Sequence, residues 1–276
     1  MTALRRWTGL SPLLLAMALI GCAAQKPAPP SQAAGGEAQL AQTSEAQALT
    51  ARLAQKAQAL SSFQTDAVME YTQGAKRLKA REQLTIRRPQ SLRIDAYYAF
   101  GVGLVVVSDG AQIQVFEPSK NVLFYGRPSA ATLDRFAHVP LGPRKAINLL
   151  MGLAPDSDCA TPPALSYVRR EGTLLIAGRR WPDGSVTELG FAGSELAVTR
   201  EREPDGALRY EVGYGDYRNV GGVNFAHRIE ANFPLSGSAV KFSYKQAVFN
   251  RVFDNSLFVL LPSPATRTID LDYQAG

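Results

Sequence analysis

Side chains able to carry out catalysis or to bind a metal are few and scattered in this chain of 276 residues. His138 and His227 are its two histidines, and neither has a second ligand at the spacing that metal sites use. The sequence contains no phosphate-binding glycine loop, no nucleophile elbow and no closely spaced pair of cysteines. The acids Glu201 and Glu203 have charged neighbours, which is typical of a solvated strand face. We therefore predict no catalytic residue, no metal site and no enzymatic activity.

One cysteine does lie in a context that indicates covalent chemistry. Arg5 and Arg6 make a positive start, and residues 10–20 form an apolar stretch too short to span a bilayer, which takes about 20 apolar residues. The stretch ends in LIGC at residues 19–22, which resembles the bacterial lipoprotein box, where the cysteine is acylated and becomes the new N-terminus. The alternative is an ordinary signal peptide with an incidental cysteine. We predict a lipoprotein signal peptide over residues 1–21 and a covalent lipid on Cys22, with no other cofactor.

A lipid on Cys22 determines where the protein is expected to reside. Several acyl chains on one residue anchor a protein stably, because each buried CH₂ contributes about 0.8 kcal/mol. Residues 23–36 are rich in Ala, Pro, Gln and Gly, so we expect residues 22–45 to form a lipidated N-terminus and a flexible tether. Ala23 follows the cysteine, and in lipoproteins of this kind a residue other than aspartate there favours delivery to the outer membrane. We expect a lipid-anchored protein on the periplasmic side of the outer membrane.

A basic run lies between Lys76 and Arg93, with seven lysines or arginines against one acid, Glu82. The export signal excludes nucleic acid as a partner. An anionic membrane surface or an acidic partner is one interpretation of the run. A solvated outer face of a strand is the other.

The elements that must position these residues are mostly strands. Residues 37–60 place Leu49, Leu53 and Leu60 on one side, which predicts an N-terminal amphipathic helix. Short helices are predicted at residues 131–136 and 143–151. About eleven strands are predicted, at residues 63–71, 77–87, 91–98, 103–108, 111–116, 173–177, 186–191, 197–202, 208–214, 223–232 and 239–247. They would form one antiparallel sheet long enough to curl into a barrel or half-barrel, with residues 254–264 as a final edge segment.

Glu82 breaks the alternation of the second predicted strand. One face of residues 77–87 is polar, and the other face carries Leu78, Ala80, Leu84 and Ile86. Glu82 falls on the apolar side. It could face the mouth of a cavity or mark a bulge, and we prefer the bulge.

Several short motifs occur in an order that resembles the LolA/LolB superfamily. They are Arg88-Pro89, Leu92-Arg93-Ile94, VVSDG at 106–110, VFEP at 115–118, AINLLMGLAP at 146–155 and SLFVLLPSP at 256–264. The resemblance covers roughly residues 46–264, and we assign residues 46–276 to one LolA/LolB-like lipid-binding domain. It implies a mainly β fold, in which a curved antiparallel sheet forms an incomplete barrel closed by short lid helices. The apolar cavity of that fold accepts the acyl chains of lipoproteins in transit between membranes.

The resemblance also implies roles for particular residues. LolB-like proteins have a protruding apolar loop between their third and fourth strands, which here corresponds to a membrane-facing, cargo-transfer loop at Phe100, Gly101, Val102 and Leu104. The alternative is that Phe100 folds back into the core. Arg88 occupies the Arg-Pro position whose arginine holds the lid closed in the LolA carrier, whereas an exposed arginine at a strand end is the alternative.

The expected function follows from the lipid on Cys22, which points to the LolB-like side of the superfamily. We expect a monomeric, non-catalytic outer-membrane lipoprotein that receives lipoproteins, from a LolA-like periplasmic carrier as a possible partner, and helps to insert them. Its partners would be the acyl chains of a lipoprotein or lipid. The alternatives are a carrier or sensor of another lipid or glycolipid, and a structural lipoprotein of an envelope complex.

Overall fold

A computed structural model describes residues 32–98 and 101–273, with side chains from residue 39 onward. The predicted signal peptide, Cys22 and Phe100 lie outside the described residues. Within these ranges, no helix has both the length and the apolar character that crossing a bilayer requires.

Strands dominate the described part of the chain, and they all join one sheet. Fourteen strands are present in these residues: β1 Ser62–Gln73, β2 Lys76–Arg87, β3 Ser91–Tyr98, β4 Gly101–Ser108, β5 Ile113–Glu117, β6 Val122–Gly126, β7 Tyr167–Glu171, β8 Leu174–Arg180, β9 Val186–Ala192, β10 Glu195–Arg202, β11 Leu208–Val220, β12 Val223–Phe233, β13 Ser238–Phe249 and β14 Arg267–Asp270. Their order across the sheet is β14-β6-β5-β4-β3-β2-β1-β13-β12-β11-β10-β9-β8-β7. Neighbours are antiparallel except for β14, which runs parallel to β6. The sheet is curved and does not close into a barrel, as predicted.

The three strands that the sequence did not predict are β6, β7 and β14. Each has four or five residues, which is too short for alternation to be distinguished from a loop. The predicted edge segment at residues 254–264 is wrong, because that stretch contains a 3₁₀ turn, Asn255–Phe258, and the two edges of the sheet are formed by β14 and β7.

The described residues contain three α-helices, which from Gln39 onward lie over the inner face of the sheet, defined as the face that carries Phe63, Leu84 and Ile86. They are α1 Gln32–Ala59, α2 Ala130–Ala137 and α3 Pro143–Leu150. The buried side of α1 is formed by Ala46, Leu49, Leu53 and Ala57, followed by Leu60 just past its end. This three- and four-residue spacing confirms the predicted amphipathic helix.

The helix also begins earlier than expected. Because α1 starts at Gln32, residues 32–45 are helical rather than part of a flexible tether. Their composition explains the difference, since alanine, glutamine and glutamate all favour helix and outweigh two glycines.

Candidate functional site

A small apolar cavity lies between the inner face of β1–β4 and the helices α2 and α3. Its walls include Met69, Ile94 and Leu104 from the strands, Leu133 and Phe136 from α2, and Leu150 from α3. The cavity volume is about 30 Å³. By this measure the space holds one or two water molecules. The apolar side chains of the lid therefore fill most of the concavity.

Local sequence determines where each lid helix starts and stops. Ser129 caps α2, because its hydroxyl accepts a hydrogen bond from the Thr132 amide at 3.1 Å. The helix ends at His138, whose backbone is left-handed with φ 57°. The His138 ring stacks on Tyr71 of β1 with ring centres 4.2 Å apart. Pro143 occupies the first turn of α3, where its missing N–H costs nothing.

Two polar contacts hold α3 to its surroundings. The Tyr244 hydroxyl of β13 donates to the Leu150 carbonyl at 3.0 Å. The buried Asn148 amide donates to Oδ2 of Asp158 at 2.9 Å. Both partners are buried or nearly so, so α3 is tied to the sheet at its C-terminal end.

Arg88 joins the end of α1 to this same corner of the lid. Its guanidinium donates to the Ala57 carbonyl, to the Leu60 carbonyl at 3.1 Å and to Oδ1 of Asp158 at 2.7 Å. The Arg88 and Asp158 side chains are 11% and 17% exposed, so water screens the pair only weakly. A continuous chain of contacts therefore runs from Arg88 through Asp158 to Asn148 of α3. The alternative of an exposed arginine is wrong, and the proposed effect of Arg88 on cargo stays a prediction.

Glu82 faces into the cavity, and the bulge preferred from the sequence is wrong. It pairs in regular register with Ala67 of β1 and Ala96 of β3. Only 7% of the residue is exposed. Among the described residues, its Oε2 atom is buried and has no hydrogen-bond partner. Burial raises the pKa of the Glu82 carboxyl to about 8, so it is neutral at pH 7.

Three residues of the predicted transfer loop, Gly101, Val102 and Leu104, lie in a strand. Tyr98 pairs with Gly101, so Gly101 and Val102 belong to β4 rather than to a loop. Val102 is 40% exposed, whereas Leu104 lines the cavity. Leu104 is therefore a wall residue and not part of an exposed tip. The membrane-facing role of Phe100 and Val102 stays a prediction.

Gly101 and Gly103 are each required in β4 for a different structural reason. Gly101 has φ 114°, a conformation that other residues rarely adopt. Gly103 lies beneath the Tyr98 ring, and a Cβ atom there would be 2.0 Å from Cδ2 of the ring. Gly103 lies where the register between β3 and β4 shifts, and its missing side chain leaves room for the Tyr98 ring at the cavity wall.

The basic run is largely occupied by internal contacts. Arg87 donates to Oδ1 of Asn255 at 2.6 Å and Arg93 to the Leu257 carbonyl at 3.2 Å, so both hold the C-terminal segment. Lys79 pairs with Glu70 at 2.6 Å. Together with Arg88, four of the seven cations have partners within the protein. This favours a structural outer face over a cationic docking surface.

Of the histidines and the neighbouring acids Glu201 and Glu203, only His138 lines the cavity. His227 is buried, and its Nδ1 atom lies 3.2 Å from the Phe225 carbonyl. Glu201 is buried rather than solvated, with Lys145 and Arg209 each 2.5 Å from its carboxylate. Within the described residues, no three His, Cys, Asp or Glu side chains are grouped as metal ligands would be. The absence of catalysis and of a metal stays a prediction.

Comparisons with known proteins place this geometry in a fold. No protein-family model and no curated protein matches the sequence. A DUF1329 family protein from Desulfovibrio piger is 14% identical, with a TM-score of 0.57, 79% of this chain and 97% of the other being covered. A LolA superfamily protein from Nitrosomonas europaea is also 14% identical, with a TM-score of 0.52 and coverage of 78% and 97%.

These likenesses show the fold. The chain has the LolA-like fold, a large curved antiparallel sheet with helices over its inner face, as the sequence resemblance implied.

Proposed function

We propose that this protein is a non-catalytic, lipid-anchored protein of the outer membrane that binds acyl chains beneath α2 and α3. In this proposal it receives lipoproteins and helps to insert them into the membrane, as LolB-like proteins do. The observation that carries the proposal is the apolar cavity between the curved sheet and the two lid helices. Moving an acyl chain from one apolar groove to another changes the free energy little, because the chain stays out of water in both. Delivery to a bilayer is favourable because the acyl chain is also kept out of water there.

Binding requires the lid to move. Pockets that hold a small molecule have volumes of about 300–1,000 Å³, whereas the cavity under the lid has about 30 Å³. An acyl chain therefore displaces α2, α3 or both from the inner face. The polar contacts at Asn148 and Tyr244 set how tightly α3 is held against such a movement.

A structural lipoprotein of an envelope complex is the second candidate. The small cavity volume favours it, since a protein of this kind needs no space beyond its own side chains.

Bound lipid separates the two candidates. Residues 22–276 carrying Cys22→Ser, purified without detergent, are extracted and the lipids identified by mass spectrometry. Transfer from an acylated lipoprotein donor to liposomes is then measured. We expect bound acyl lipid and transfer, both reduced in Phe136→Glu, which places a carboxylate at the apolar cavity wall. The matched control is Phe253→Glu, at a similarly half-buried ring outside the cavity.

The outcomes have distinct meanings. Neither bound lipid nor transfer would reject the proposal in favour of the structural lipoprotein. Bound lipid of another class, without lipoprotein transfer, would instead indicate a carrier or sensor of that lipid or glycolipid.

A further inference from the structure

We propose that Glu82 is a hydrogen-bonding subsite of the cavity that takes the ester carbonyl of an acyl lipid. The inference rests on the proposed function and deepens it. It says which part of the cargo lies in the cavity: the carbonyl end of the chain and not only hydrocarbon.

The position of Glu82 gives it space for a ligand group. Its cross-strand neighbours on the inner face are Ala67 and Ala96, and its neighbours along β2 are Ala80 and Leu84. The three alanines are small and buried. They leave space beside the carboxyl at a point where the cavity wall passes between β1 and β3.

The carboxyl is polar, buried and unsatisfied within the described residues. No salt bridge there includes Glu82, and Oε2 lacks a hydrogen-bond partner. A buried polar atom left in this way is costly, so a ligand that supplies a partner gains affinity from it. A purely hydrocarbon ligand leaves the atom as it is.

The protonation state of Glu82 selects the class of ligand group. Burial keeps the carboxyl neutral at pH 7, and a neutral carboxylic acid donates one hydrogen bond through its O–H. A carbonyl oxygen accepts that bond without any charge being buried. An amine is disfavoured, because pairing with it would require two desolvated charges in an apolar cavity.

Titratable side chains lie on both sides of Glu82. Outside the cavity, it shares a second, more polar pocket with Asp66, Arg81, Tyr97 and Lys245. Three groups lie on its cavity side. Tyr98 of β3 and Tyr244 of β13 face it, and burial raises the pKa of each phenol. His138, after α2, lines the same cavity, and burial lowers its pKa. All three are therefore neutral between pH 7 and pH 9, while the Glu82 carboxyl ionises.

The test compares ester-linked lipids with ether-linked lipids of equal chain length, which lack the carbonyl. Residues 22–276 carrying Cys22→Ser are titrated with a glycerolipid in both forms and with an acylated-cysteine lipopeptide in both forms. We expect about fivefold tighter binding of the ester forms, as one net hydrogen bond provides. The stronger-binding pair identifies the source of the carbonyl, a glycerolipid or a lipoprotein.

Variants decide whether Glu82 causes the preference. Glu82→Gln keeps a donor and should keep the ester preference, whereas Glu82→Leu has similar size and should lose it. Glu70→Leu, on the outer face of β1, is the matched control and should behave as the parent chain does. The preference should also fall above pH 8, where the O–H is lost.

Several results would overturn the subsite. Equal binding of ester and ether forms would reject it while leaving the proposed function in place. A preference that survives Glu82→Leu would reject it too, as would loss of the preference in Glu82→Gln, which keeps a donor. If neither form binds, the proposed function itself fails and the subsite with it.

Discussion

Glu82 makes stability depend on pH in a direction that is unusual for a carboxyl group. Its pKa is about 8 in the folded protein against 4.5 in the unfolded chain, so the folded state holds the proton more tightly. Stability is therefore highest below pH 4.5 as far as this group is concerned, and it falls as the pH rises towards 8.

Ionisation of Glu82 should lower the free energy of unfolding by roughly 1.4 kcal/mol for each pH unit between about pH 4.5 and about pH 8. Glu82→Gln cannot ionise, so the free energy of unfolding of this variant should gain on that of the parent by this amount as the pH rises. Urea unfolding of both chains across the window measures the difference. A difference that stays constant with pH would contradict the buried, unpaired carboxyl.

Cys22 carries a prediction that depends on the sequence alone. Cys22→Ser removes the acceptor of the lipid, so palmitate labelling should be lost and the protein should leave the membrane fraction or stay as the unprocessed precursor. Metabolic labelling and fractionation measure both effects. Normal labelling of the variant would show that Cys22 is not the lipidated residue, and Cys159→Ser is the control that should change nothing.

Among the elements, the corner between α1, β2 and α3 depends on Arg88. Arg88→Leu leaves the Asp158 carboxylate largely buried without its cation, so the free energy of unfolding should fall by about 3–5 kcal/mol. Asp158→Asn keeps the hydrogen bond from Asn148 but weakens the contact with Arg88, because the ion pair is lost. If this contact holds the lid closed, cargo release in a transfer assay should become faster.

Arg93→Leu is the control for this corner. Arg93 pairs with Asp95 and with the C-terminal segment, away from the lid, so cargo release should not change in that variant. Unchanged release in Asp158→Asn would mean that the Arg88 contacts are structural and do not hold cargo.

The β3–β4 hairpin allows the exposed and buried apolar residues to be separated. Val102→Glu replaces a half-exposed side chain, so its stability should stay within about ±0.5 kcal/mol of the parent. Phe100→Glu should behave in the same way if Phe100 is at the tip. Both should impair delivery to liposomes, because a carboxylate resists transfer out of water.

Leu104→Glu is the contrasting variant. Leu104 lines the cavity, so a carboxylate there should lower the melting temperature strongly. A comparable drop for Phe100→Glu, or normal delivery by both hairpin variants, would reject the membrane-facing role of the hairpin.

At the scale of the whole molecule, the narrow cavity predicts that cargo opens the lid. Hydrogen–deuterium exchange of the amides in α2 and α3 should become faster when an acyl ligand binds, while exchange in β1, β2 and β13 stays slow. Mass-spectrometric exchange with and without ligand measures this. Slower exchange in both lid helices on binding would show that the acyl ligand does not bind beneath them.

Much of the fold was predictable because it depends on local patterns. The long strands β1, β2 and β11–β13 alternate over many residues, and α1 repeats its apolar residues over several turns. The short strands β6, β7 and β14 were missed because pairing with a neighbour, and not their own pattern, makes them strands. The helical start of α1 was missed because the composition of that stretch also suits a tether.

The candidate site was less predictable, since its residues meet only through the fold. Glu82 was visible as an exception, but alternation alone cannot tell a cavity wall from a bulge. Asp158 offered no signal, because its partner Arg88 is 70 residues away. The polar face of β2 was predicted correctly, but the sequence did not show that Arg87 on this face binds the C-terminal segment.

The sequence by itself determined the class of fold and the predicted lipid on Cys22, because alternation, helical spacing and a short targeting motif act within a few neighbouring residues. Only the tertiary structure decided that Glu82 lies in the cavity, that Leu104 is a wall residue and that Arg88 reaches the lid. These facts depend on the register between strands and on how α2 and α3 pack, which join residues far apart in the chain. Burial then gave Glu82 its raised pKa, a property that no sequence pattern contains.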